Sequence, residues 1–221
     1  MKLNLTADEV LTSTRAVRKR LDFDRPVPME VITECLEQAV QAPTGSNRQG
    51  WEWVVVTDQA KRAGLAELYR KGWEQYRSMG AAAQNIETPN AAQQERVVDS
   101  ATHLADNFHR VPVMLIPCMP GRLDNLPNMA ATSTYGSIHP ATWSFMLAAR
   151  ERGLGTAWTT IHLMYEKEAA EILGIPYEEY SQCSLITVGY SIGTEFKKAQ
   201  RPPVQTVMHI DTWGTHPEVP A

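Results

Sequence analysis

QAPTGSNRQGWEWVVV (residues 41–56) joins two different hydrophobic periods across a few residues. Upstream of it Val31, Ile32, Cys35, Leu36, Ala39 and Val40 recur at helical spacing and make one buried stripe, with Pro28 at the first turn. Pro43 ends that pattern. Downstream, WEWVVV (residues 51–56) is a short β-branched run that reads as a buried strand. The residues between are small or polar and suit a tight turn. A helix that turns so abruptly into a buried strand points to a mixed α+β domain.

The same reading extends in both directions. Thr6 and Glu9 have capping-box spacing, which starts a first helix near Ala7 and runs it to about Thr14. After the 51–56 strand, a charged helix is expected from Gln59 to about Met79. Residues 80–94 (GAAAQNIETPNAAQQ) show no period and read as an insertion or lid loop. A helix over 95–108 and a buried strand VMLIPCM after Pro112 follow, then a loop over 121–128. Residues 137–152 are apolar nearly all round and read as the central helix. GLGTAW supplies a turn and a short strand, 166–173 a short helix and CSLITVGY (183–190) a third apolar strand. The tail from Lys197 to Trp213 is Pro-rich and extended. With no internal repeat and no linker, all 221 residues are expected to form one domain.

Composition narrows the function classes. Hydrophobic residues make up 43% and charged residues 21% of the chain, ordinary globular usage. A net charge of −4 and a pI near 5.9 argue against a nucleic-acid-binding surface. Cys35, Cys118 and Cys183 form no CxxC and sit in apolar patterns, as reduced core cysteines do. That favours the cytoplasm, as does the absence of a signal-peptide pattern or an apolar run of membrane-spanning length.

Motifs for most chemistries are missing. The six histidines show neither HExxH nor HxxxH spacing, so no metal is expected. GLGTAW begins like a dinucleotide fingerprint, but Trp158 stands where Gly or Ala is needed and a helix precedes it. No GxSxG or Walker sequence is present. Two basic clusters remain: Arg15, Arg18, Lys19 and Arg20, and Lys197, Lys198 and Arg201. They are either two solvated faces or the two halves of one phosphate site, because a phosphate dianion requires several charge-assisted donors.

The run TRAVRKRLDFDRPVPMEVITECLEQAVQAPTGSNRQGWEWVVVTD, followed in order by GLGTAW and GYSIGTEFKKAQRPPVQTV, resembles the FMN-dependent nitroreductase family over nearly the whole chain. The resemblance implies an α+β fold with a central, mostly antiparallel sheet flanked by helices, in an entwined homodimer that holds FMN between its subunits. It implies that Pro43, Thr44, Gly45, Ser46, Asn47 and Gln49 lie along the flavin, the small residues allowing close approach and the two amides bonding the ring edge or ribityl chain. Arg15, Ala16 and Arg18 match the family's early phosphate-binding segment, and Lys198 and Arg201 its late basic pair. Thr14 and Ala16 depart from the usual Arg and Ser, which shifts the grip toward Arg15, Arg201 and backbone N–H groups; Gly50 replaces a Pro. Trp158, Thr159 and Thr160 fall where the family chain passes the reactive flavin edge, with Thr159 or Thr160 as a donor to N5; two threonines in a strand are also simply common.

The activity implied is reduction of a nitroaromatic, quinone or similar small electrophile with NADH or NADPH by a ping-pong hydride mechanism. No side-chain catalyst is required, because the chemistry sits at flavin N5. The alternatives are a dehalogenase or dehydrogenase of the same family, and a flavin-binding or storage protein without turnover.

Overall fold

The structure is a computed structural model and describes residues 2–79 and 91–219. Its first helix, α1 (Ala7–Ser13), opens on the expected capping box: Thr6 Oγ1 accepts from Glu9 N at 3.3 Å and Thr6 N donates to Glu9 Oε2 at 2.7 Å. A short strand β1 (Leu21–Asp22) leads to α2 (Met29–Ala39), where Pro28 is the residue before the first turn and Ile32, Cys35 and Ala39 form the buried stripe. Then come β2 (Glu52–Val56), α3 (Gln59–Ser78), α4 (Ala91–Asp106), β3 (Val113–Pro120) and α5 (Asn128–Glu151). The chain continues through β4 (Leu154–Thr159), α6 (Glu166–Leu173), β5 (Tyr180–Gln182) and β6 (Leu185–Ser191).

The strands form one antiparallel sheet. Its body runs β4, β6, β3, β2: β4 pairs β6 from Leu154↔Tyr190 to Thr159↔Leu185, β6 pairs β3 at Val113↔Val188, and β3 pairs β2 from Glu52↔Cys118 to Val56↔Met114. The short β1 and β5 extend the pairing of β6 and β3 respectively. β3 is covered on both faces, with successive side chains going to opposite sides. Met114 and Ile116 join Leu65, Tyr69, Leu104 and Phe108 under α3 and α4, while Val113 and Leu115 join Ile32, Cys35 and Phe145 under α2 and α5.

Several boundaries differ from the sequence reading. β2 is not a fully buried strand: Glu52 is exposed and Trp53 to Val55 half-buried, because among the described residues β2 pairs on one side only. α5 begins at Asn128, not 137, since MAATSTYGS is helical without an apolar stripe to reveal it. Nor is α5 apolar all round, for Ser137, Thr142 and Arg150 are buried while Trp143 is 40% exposed. Of the expected 80–94 loop, residues 91–94 belong to α4, and 80–90 lie outside the described residues. The tail is irregular apart from a 3-10 turn at Val204–Thr206.

Candidate functional site

β4 is an edge strand, and its open edge receives the segment between α1 and β1. Ala16 bridges Thr156 in parallel, and Val17 N donates to Thr156 O at 2.8 Å. Gly155 makes this approach feasible: a Cβ there would lie 2.7 Å from Val17 Cγ1. In a strand, the N–H and C=O of alternate residues face the same edge. Thr156 faces the open edge, so the Trp158 N–H does too, beyond the point where Ala16 and Val17 cover it.

That docking brings Arg18 to the end of β4. Arg18, residues 158–161 and the α3 side chains Tyr69, Trp73 and Tyr76 enclose a cavity of about 210 Å³. Arg15 and Arg18 are half-buried, and neither guanidinium makes an ion pair or hydrogen bond among the described residues. Thr159 points its hydroxyl toward α3, 3.4 Å from the Tyr69 hydroxyl, and accepts from Ile161 N at 3.3 Å. Burial raises the Tyr69 phenol above its ordinary value. Thr160 is exposed at the mouth. Sequence reasoning missed the aromatic wall, although Tyr69, Trp73 and Tyr76 carry a legible i, i+4, i+7 spacing.

The expected turn forms a second site. Ser46, Asn47 and Gln49 all have positive φ, at 54°, 52° and 49°, a concentration of strain unusual for residues other than glycine. Bonds within and below the turn hold it. Gln49 N donates to Thr44 Oγ1 (3.1 Å), Gln49 Nε2 to Asn47 Oδ1 (2.9 Å), and Gly45 N to Ser137 Oγ on α5 (3.0 Å). Asn47 and Gln49 thus spend one polar contact on each other. Thr44, Gly45, Ser46 and Gln49 line a cavity of about 470 Å³ with Met119, Ser133 and Ser137, while Pro43 lies exposed before it. This cavity shares no residue with the one at Arg18, so a single chain does not bring the turn together with residues 158–160.

The basic residues separate further. Lys198 and Arg201 are exposed on the tail, and Arg201 bonds only Gln200 O, at 3.2 Å, among the described residues. Arg20 is not a solvated charge. It donates to Ile192 O (2.8 Å), Gly193 O (2.6 Å) and Glu195 O (3.1 Å), and its guanidinium lies 4.2 Å over the Phe196 ring. It therefore fixes the turn from which the tail departs. Lys19 pairs with Asp99.

The titratable groups of the interior are inert. Burial pushes the thiols of Cys35, Cys118 and Cys183 up to about 12. It also lowers His162 to about 3, with the Gln182 side chain opposing the shift. Among the described residues no group of histidines, cysteines and carboxylates could hold a metal ion, and no helix is long and apolar enough to cross a membrane.

A family model for the nitroreductase family matches residues 11–190. The chain belongs to the nitroreductase family. Among its relatives, the nitrobenzene nitroreductase of Ectopseudomonas oleovorans is 26% identical over 211 residues, covering 84% of this chain and 85% of that one. The 4-nitrobenzoate reductase of Nocardioides sp. (strain LMS-CY) is 26% identical over 210 residues, covering 83% and 79%. Among solved structures, an oxidized iodotyrosine deiodinase bound to FMN and 3-iodo-L-tyrosine superposes with a TM-score of 0.68 at 19% identity, over 95% of this chain and all of that one. An FMN- and NADPH-dependent nitroreductase from sphigopyxis sp. strain HMH gives 0.64 at 19%, again over 95% and 100%. The nitroreductase-like α+β fold and membership of an oxidoreductase family are thereby fixed.

Proposed function

We propose that this nitroreductase-family protein is an FMN-dependent oxidoreductase that draws electrons from NADH or NADPH and reduces a small electrophile such as a nitroaromatic or a quinone. The observation that carries the reading is the uncovered end of the β4 edge, where an outward N–H meets the unpaired Arg18 in one cavity. The donor set fits the cofactor. Arg15, with Lys198 and Arg201 from the tail, would hold the terminal phosphate through charge-assisted bonds. The Trp158 N–H, with the Thr160 backbone beyond it, would face the N5 edge, and the strained turn over 44–49 would supply a close-fitting wall. Bound FMN supplies the hydride chemistry, and the chain's part is to hold it, orient it and keep water from its reactive face.

A homodimer belongs to the same reading. The turn and the β4 edge lie in separate cavities of one chain, and a second copy would join them. Apolar surface awaiting cover supports this: Trp143 on α5 and, on the tail, Val207 (73% exposed) and Trp213 (87%), with an edge of β2 that no other strand pairs among the described residues.

The test is the spectrum of the purified protein after FMN titration, with sedimentation and NAD(P)H oxidation in the presence of menadione. A yellow dimer that releases FMN on denaturation and turns over is expected. A protein that takes up no FMN refutes the assignment, and one that binds FMN without turnover reduces it to a flavin-binding module.

A further inference from the structure

Arg150, near the C-terminal end of α5, is a buried charge that the fold leaves without a counter-charge. The residue is 5% exposed, and its guanidinium carbon lies 4.9 Å from the centre of the Phe196 ring. Nε donates to Ser13 Oγ at 3.2 Å, its only hydrogen-bond partner among the described residues, and Nη1 is buried with no acceptor. Arg152, two residues on and also buried, is answered: it donates to Glu34 Oε2 (2.9 Å) and Ala148 O (3.0 Å). The carboxylates nearest in sequence or space are engaged elsewhere. Glu151 accepts from Asn4 N (2.8 Å) and Leu5 N (3.0 Å), and Glu9 Oε2 from Thr6 N and Oγ1. Burial lowers the pKa of Arg150 from its ordinary value, with Glu151 opposing the shift and Arg20 adding to it, yet a guanidinium keeps its proton near neutral pH. A charge buried in this way is costly unless a partner meets it.

The guanidinium forms part of the wall of a cavity of about 530 Å³, bounded by the N-terminal segment, the last turn of α1, the end of α5 and the start of the tail. None of the residues assigned above to the flavin lines it. Leu3, Leu5 and Phe196 give the cavity an apolar side, and Lys197 adds a second cation. Glu9 and Glu195 also stand on its wall, which disfavours a ligand carrying two negative charges. A carboxylate carries one, and its two oxygens match the fork of a single guanidinium. We propose that this cavity is a binding site for an aliphatic monocarboxylate, its head on the Arg150 guanidinium and its chain against Leu3, Leu5 and Phe196. The ligand is distinct from the flavin and from the electron acceptor, so the oxidoreductase reading stands or falls separately.

Ligand-observed NMR titration of the purified protein, before and after addition of FMN, compares hexanoate with 1-hexanol and with inorganic phosphate. Hexanoate is expected to bind at least about tenfold more tightly than either, in line with one charge-assisted bond and a chain of matching polarity, and equally well with FMN present. Arg150→Met keeps the apolar stem and removes the donors. It should abolish the preference for hexanoate while leaving the affinities for 1-hexanol and FMN within twofold. Equal binding of hexanoate and 1-hexanol by the parent protein overturns the proposal whether or not the variant folds, and so does a preference that survives Arg150→Met. Displacement of hexanoate by FMN, or a loss of FMN affinity in the variant, also overturns it, by giving the cavity to the cofactor's phosphate.

Discussion

Acidification from pH 7.5 to pH 5.0 should cost this protein stability through one residue in particular. His162 is 0% exposed, both of its ring nitrogens lack a partner, and burial holds it at about 3 against an ordinary 6.5. The unfolded chain therefore takes up a proton at pH values where the folded chain refuses it. Above about pH 6.5 neither state is protonated there, and the residue contributes no pH dependence. Below that, unfolding gains about 1.4 kcal/mol per pH unit until the folded value is approached, or about 2 kcal/mol at pH 5.0. For a chain of this size that corresponds to roughly 4–8 °C in Tm. Urea unfolding of the FMN-loaded protein at both pH values, alongside His162→Leu, isolates the term from the titrating surface carboxylates. The variant should lose about 2 kcal/mol less than the parent over the same interval. Identical losses in the two proteins would refute the argument that this imidazole stays neutral in the fold.

Other perturbations address the site and its supports. Arg15→Ala should raise the FMN dissociation constant by about 10- to 100-fold, read by fluorescence of free flavin, if its half-buried guanidinium meets the phosphate. Arg20→Ala should lower stability by about 1–3 kcal/mol in urea titration, because three carbonyls of the 192–195 turn lose a charged donor; a silent substitution would show that the turn holds itself. Gly155→Ala should cost about 1–3 kcal/mol and weaken FMN binding as well, since the added methyl displaces Val17 from β4. Unchanged flavin affinity in that variant would separate the 15–18 segment from the cofactor site.

What could be read from the sequence followed from how local each cause is. The Thr6–Glu9 box, the 31–40 stripe and the tight turn between Pro43 and Gln49 are written within a few residues, and all three elements appear, although of the stripe only Ile32, Cys35 and Ala39 are fully buried, Val31 and Leu36 are half-buried and Val40 at the helix end is exposed. The half-burial of β2 was not legible, because it depends on pairing at a single edge. The first two turns of α5 were hidden by their small polar residues, which pack beneath the 44–49 turn instead of forming a stripe of their own. Arg20 stood open between a solvated charge and a phosphate ligand, and only the fold brings residues 192–195 beneath it. For the site, the residues of the β4 edge and the turn were recognisable singly, but their separation into two cavities is a property of one chain's topology. The aromatic row of α3 was legible in spacing and passed over because such rows ordinarily serve a core.

The position of β6 has a consequence for the order in which the protein can be made. It is almost the last element of the chain, yet it pairs with β3, β4 and β1, joining Leu21 to Ser191. On a ribosome, β3 emerges with β2 ready for one edge and α3 and α4 for one face, but α5, which completes its other face, follows it, and some sixty to seventy residues pass before β5 and β6 exist to pair its second edge. Contacts so distant in sequence slow folding and leave a sticky strand edge open meanwhile. The arginine segment that docks on β4 is synthesised among the first residues and can be seated only after β4 has itself been placed. A chain stopped short of β6 would keep only the pairing of β3 with β2 and β5, with β4 and β1 left without a partner strand, and would be expected in aggregates and proteolytic fragments instead of as a smaller folded domain.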